Sequence, residues 1–233
     1  MTGRSFEAFY SEVVGGLGAP VFERDSLAVL LIDVQRGVVD RDKGFGRQAV
    51  EAGYLDEVEQ FYTRVEEIVV PNAWRLLARA RSLGLLVAHS RVANQLTSGR
   101  DLSPRYKAFG LNMPGTRVEA QFHPEVEPIA EELVFSKTTS GLLGSTAADH
   151  VFRNSGIGTI IVGGVVTNNC VESSVRQLAD AGYHVVLLED MCAGWTTEGH
   201  EASIRHLDDN FATVMSTADV LQVLESWEPE VRT

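Results

Sequence analysis

The chain has 233 residues, 44% hydrophobic and 22% charged, which fits one large globular domain better than two small ones. Its formal charge of −12 argues against nucleic-acid binding, because neutralising phosphates needs a concentrated Lys/Arg surface, and here the basic residues are scattered. No apolar run approaches the roughly 18 residues of a membrane span, and the start MTGRSFEAFYSEVVGG lacks a secretory pattern, so a cytoplasmic protein with no membrane partner is expected.

Taken in chain order, residues 5–14 predict a short helix ending at Gly15-Gly16, within an N-terminal helical extension over 1–25, and the main domain then covers 26–233. Apolar strand-like runs follow at 27–33, 84–90, 133–136, 159–164, 184–189 and 211–215. Helical periodicity lies between and after them: 55–83, interrupted at Pro71, then 144–155, 169–182, 199–209 and 217–227. Continuous apolar strands alternating with helices predict an α/β fold with a parallel sheet covered on both faces. The segment 91–123 lacks sustained periodicity, and its Arg, Tyr, Phe and Met content favours a packed lid over a disordered loop.

In open parallel sheets, ligands sit beyond the carboxyl ends of the strands, so polar residues that close an apolar run carry the information. Asp33 closes the first run, Lys137 follows the third and Cys170 lies just after the fourth. Asp33 by itself reads equally as an acceptor for loop N–H groups or as a base, Lys137 as a solvated lysine and Cys170 as a small buried residue. Together, a carboxylate, an ammonium and a thiol on one rim supply a base, an electrostatic stabiliser and a nucleophile for acyl transfer. A helix opening at Cys170 would favour its thiolate. Cys170 and Cys192 form no CxxC pair and no His/Cys cluster, so neither a zinc site nor a disulfide scaffold is expected, and Cys192 reads as structural.

The segments LAVLLIDVQRGVVD, VFSKTTSGLLGST and VGGVVTNNCVESSVRQLADAGYHVVLLEDMCAG closely resemble the signature blocks of the isochorismatase-like cysteine hydrolases. That family includes nicotinamidases and the N-carbamoylsarcosine, ureidoacrylate and biuret amidohydrolases. The resemblance implies a three-layer α/β/α domain with a six-stranded parallel sheet in the order 3-2-1-4-5-6. It assigns Asp33 as general base, Lys137 as the cation and Cys170 as the nucleophile. It also implies a cis Val165-Val166 peptide, with the N–H groups of Val166 and Cys170 forming an oxyanion hole. Related enzymes are commonly dimers or tetramers, so a homo-oligomer acting on a small molecule is expected.

Isochorismatase itself resembles this fold but lacks the nucleophilic cysteine, which turns the expectation towards C–N bonds. The metal-binding Asp-x-His of nicotinamidases is missing from VAHSRVANQ, where His89 reads as a structural residue; neither a metal nor another cofactor is expected. Gln35, Arg91, Asn94, Gln95, Tyr106, Lys107 and Phe109 remain near the rim, and Gln35, Arg91, Asn94 and Tyr106 are taken as candidate substrate-binding residues. Their donors suit ureido, carbamoyl or carboxylate groups. The alternatives are an amidase for plain carboxamides, a non-enzymatic binding member of the fold, and a redox thiol at Cys170.

Overall fold

A computed structural model of the chain describes Val13 and residues 17–228; apart from Val13, the helix expected over 5–14 lies outside the described residues. Six parallel strands run in the order β3-β2-β1-β4-β5-β6: β1 Leu27–Ile32, β2 Leu86–Val92, β3 Leu133–Lys137, β4 Thr159–Val165, β5 His184–Ala193 and β6 Thr213–Met215. All six residues of β1, at the sheet's centre, are buried, and they alternate between its faces. Leu27, Val29 and Leu31 enter one core, while Ala28, Leu30 and Ile32 enter the other. This is the expected consequence of a period-2 element covered on both sides.

The first core is covered by α3 (Val70–Ser82), through Ala73, Leu76, Leu77 and Ala80, and by α8 (Thr217–Glu225), through Val220, Leu221 and Leu224. Against the second lie α5 (Ala148–Asn154), α6 (Glu172–Asp180) and α7 (Thr197–Leu207). The last helix of each set begins where capping chemistry allows: at α7 Thr196 accepts from the Gly199 N–H, and at α8 Ser216 accepts from the Asp219 N–H. Among the shorter helices that precede α3 in the chain are α1 (Gly44–Ala52) and α2 (Leu55–Arg64), and α4 (Pro104–Ala108) lies in the connection after β2.

Pro71 does not interrupt the long helical segment. A π turn over Val65–Val69 joins α2 to α3 and places Pro71 in the first turn of α3, where a missing N–H costs little. β2 and β5 extend beyond the apolar runs, to Val92 and Ala193, because β3 and β4 supply ladder partners for their polar ends. The glycine-containing α1 was not legible as a helix, because Gly44 and Gly46 in its first turn read as loop residues. Among the described residues, no helix is long and apolar enough to cross a membrane.

Candidate active site

Three strand ends meet at one cavity. Asp33 follows β1 in a left-handed conformation, φ 53°, which aspartate adopts more readily than most residues, and its N–H donates to the Ser90 carbonyl at 3.0 Å. Its Oδ1 accepts from Ser90 Oγ at 2.9 Å. Its Oδ2 lies 2.7 Å from Lys137 Nζ, a contact made by charge attraction, without a conventional hydrogen-bond angle. Lys137 Nζ also donates to the carbonyls of Thr139 and Ser140, at 3.0 and 2.9 Å. Both charged side chains are almost wholly removed from water, so neither is a solvated rim residue.

Cys170 lies in a π turn, Thr167–Val171, that precedes α6, with non-helical backbone at Asn168. The Val165-Val166 peptide immediately before this turn is cis. The Asp33 carboxylate reaches the Cys170 thiol, and the Tyr106 hydroxyl approaches Sγ at 3.5 Å. Burial pushes the thiol up to about 11, and Asp33 adds to this while Lys137 and the Tyr106 hydrogen bond oppose it. The thiolate expected from a helix terminus is therefore not the resting form; desolvation outweighs the dipole at this buried position. Burial disfavours the Lys137 charge, but Asp33, Cys170 and Tyr106 together hold its ammonium above the usual lysine range. Burial likewise raises Tyr106, which stays a neutral hydroxyl.

β4 leads into the Cys170 turn through a glycine pair. Gly164 has φ 123°, and a Cβ there would stand 2.1 Å from the Ile32 carbonyl oxygen, so the close approach of β4 to β1 beside Asp33 requires glycine. Behind the turn, Thr167 Oγ1 meets His200 Nδ1 at 2.9 Å, and His200 Nε2 meets Arg64 Nη2 at 3.1 Å. A guanidinium has only donors, so Nε2 accepts and the Nδ1 proton is donated to Thr167. Burial first, and then Arg64, lower His200 to about 4, which keeps the ring neutral near pH 7. Arg64 also donates to the Cys192 and Glu189 carbonyls, tying α2 to β5.

Of the four candidate substrate-binding residues, only Tyr106 lines the cavity. Gln35 is fully buried: its Oε1 accepts from the Val92 N–H, and its Nε2 donates to the Val92 and Glu119 carbonyls and to Met113 Sδ. Asn94 accepts from the Met113 N–H and donates to Leu96 O and Asn112 Oδ1. Arg91 donates to Ser136 Oγ and Ala120 O and lies over the Phe122 ring. These three anchor the 91–123 segment to the strand ends, and the donors read as substrate contacts are consumed by backbone and side-chain partners. Gln95 and Lys107 are exposed, and Lys107 donates to the Arg100 carbonyl. His89 is buried against Glu132 at 3.0 Å, and Cys192 is wholly buried.

What the anchored segment delivers to the cavity is Tyr106, Phe109, Leu111 and Met113. Val38, Phe45 and Trp195 complete the apolar wall of a space of about 230 Å³. This lies below the range of about 300–1,000 Å³ usual for drug-sized ligands and suits a small molecule. Sequence reasoning missed the wall residues Val38, Phe45, Leu111 and Met113, because an apolar residue in an irregular segment has no signature until the chain folds. Ser90 was accessible to the strand-end rule, since it closes the second apolar run.

The Isochorismatase domain family matches residues 27–219 of the chain. The maleamate amidohydrolase of Pseudomonas putida is 25% identical over 200 residues, covering 82% of this chain and 94% of that protein. The ureidoacrylate amidohydrolase of Acinetobacter baylyi is 31% identical over 191 residues, covering 74% and 77%. A crystal structure of a cysteine hydrolase from Pseudomonas syringae pv. phaseolicola superposes with a TM-score of 0.76 at 20% identity, covering 90% of this chain and 99% of that one; at this identity the likeness speaks for the fold.

Proposed function

Because the chain belongs to the isochorismatase family, we propose that it is a cysteine amidohydrolase that cleaves the C–N bond of a small amide or carbamoyl compound through a thioester on Cys170. The convergence of Asp33 and Cys170 on one cavity, with Lys137 paired to Asp33, carries this reading. The relatives' names, which span maleamate, ureidoacrylate and N-carbamoylsarcosine, support the shared bond type.

In the proposed cycle Asp33 takes the Cys170 proton as Sγ attacks the carbonyl carbon, so a thiol with a high proton affinity is activated only at the moment of attack. Lys137 stays protonated throughout and offsets charge on Asp33. The N–H groups of Val166 and Cys170 are assigned to the oxyanion, which they would stabilise without reorganisation. The C–N bond then breaks, the nitrogen leaves with the proton held by Asp33, and Asp33 activates the water that releases the acid and regenerates the thiol. No step draws on a metal or cofactor. The test is Cys170→Ala: ammonia release from a panel of small amides and ureas should fall by at least about 10³-fold with the thermal transition retained. Near wild-type release from that variant would rule out a cysteine nucleophile.

A further inference from the structure

Resting on that reading, we infer that the substrate's body, beyond the amide or carbamoyl head, is uncharged hydrocarbon, aliphatic or aryl, and not a carboxylate. Among the described residues that line the cavity none is a cation, and the only charged side chain is the Asp33 carboxylate. Lys137, a buried ammonium outside that lining, already donates to Thr139 O and Ser140 O and is held by charge 2.7 Å from Asp33 Oδ2. A substrate carboxylate could recruit it only by displacing one of them.

Arg105, an exposed cation that touches the lining residues Asn169 and Phe109, is partly engaged. Its guanidinium donates to Asn169 Oδ1 at 3.2 Å from both terminal nitrogens and to Ser140 Oγ, and it lies 5.1 Å from the centroid of the Phe109 ring. By occupying Oδ1, Arg105 leaves the Asn169 Nδ2 group as the donor end of the amide, suited to a neutral carbonyl. The three residues whose donors could have met an anion, Gln35, Arg91 and Asn94, are spent on anchoring the 91–123 segment.

The apolar wall is built, not incidental. Trp195 packs against Phe61 at a centroid separation of 4.2 Å and takes the edge of Phe45 at 5.9 Å. Met113 is fixed from two sides, its Sδ accepting from Gln35 Nε2 at 2.8 Å and its N–H donating to Asn94 Oδ1 at 2.6 Å. A preorganised wall of this kind stabilises a hydrocarbon body through desolvation, whereas a carboxylate pressed against it would lose its water without gaining a partner. The inference separates this chain from maleamate, ureidoacrylate and N-carbamoylsarcosine, the carboxylates in three relatives' names.

Two measurements test it. Calorimetric titration of the Cys170→Ala protein with isobutyramide, benzamide and succinamate reads binding without turnover, and at least one neutral amide is expected to bind at least about 30-fold more tightly than succinamate. Equal or tighter binding of succinamate, or no binding by either neutral amide, overturns the inference. In the wild-type protein, kcat/KM for the better neutral amide is expected to exceed that for succinamate by about 100-fold, and Leu111→Arg should narrow that ratio at least tenfold by placing a cation in the wall. Tight binding of a neutral amide with no ammonia released from any amide would overturn the hydrolase reading and leave the inference standing, while rapid hydrolysis of succinamate in preference to both would do the reverse.

Discussion

Lys137 illustrates how a single residue changes meaning on burial. In the sequence it ends LVFSK like any strand-terminal lysine; in the fold its charge is sealed beside Asp33. Lys137→Met would leave the Asp33 carboxylate buried beside a hydrocarbon chain, and it is expected to destabilise the protein by about 3–5 kcal/mol in urea unfolding and to abolish turnover. Unchanged stability would show that the Asp33–Lys137 pair does not support the fold. Cys170 yields a pH test. A thiol pushed up to about 11 is protonated at neutral pH, and the thiolate fraction grows as pH rises through that value, so iodoacetamide alkylation of Cys170 should still be accelerating above pH 9. A plateau by pH 8 would contradict a desolvated thiol. His200→Ala removes the neutral ring that accepts from Arg64 and donates to Thr167, and kcat is expected to fall about 10- to 100-fold with little change in KM. Asp33, Lys137 and Cys170 were legible because each closes or follows an apolar run. His200 was not, since its role depends on a helix packing against a turn remote in the sequence.

At the scale of elements, the sheet was legible, whereas the partners of the polar residues around the 91–123 segment were not. β1 is an uninterrupted apolar run, and burial on both faces follows from that alone. The 91–123 segment carries polar side chains whose partners, such as Gln35 with Glu119 or Arg91 with Ala120, are set by long-range contacts that no local pattern specifies. Donors in a loop near a strand end look the same whether they meet a substrate or a carbonyl of their own chain. A second tie of this kind lies at β2 and β3, where Glu132 accepts from Arg81 at 2.8 Å and pairs with His89. Burial raises the Glu132 carboxyl, but His89, Arg81 and the Ile129 N–H outweigh it and hold it down to about 2, against an ordinary value of 4.5. A lowered carboxyl pKa contributes stability that is present above 4.5 and lost as pH falls towards 2. Glu132→Gln should therefore cost about 2 kcal/mol at pH 7, with the difference from wild type shrinking across that window in chemical unfolding. A difference independent of pH would assign the effect to packing.

For the whole molecule, the parallel sheet brings Asp33 after β1 and Cys170 in the turn after β4 to a common cavity, with Lys137 of β3 paired to Asp33, and the long connection after β2 supplies much of the wall. His89 is consumed by Glu132, and the proposed chemistry runs on protein groups alone, so ammonia release should survive exhaustive treatment with EDTA. Loss of activity restored by one divalent metal would reassign the site. The covalent thioester is the central claim, and partitioning with hydroxylamine tests it most directly. With the amide that turns over fastest, added hydroxylamine should intercept the acyl group on Cys170 and yield the N-hydroxy product at the expense of the acid, and Cys170→Ala should form none. Exclusive formation of the acid at every hydroxylamine concentration, with ammonia release undiminished, would contradict acyl transfer through Cys170.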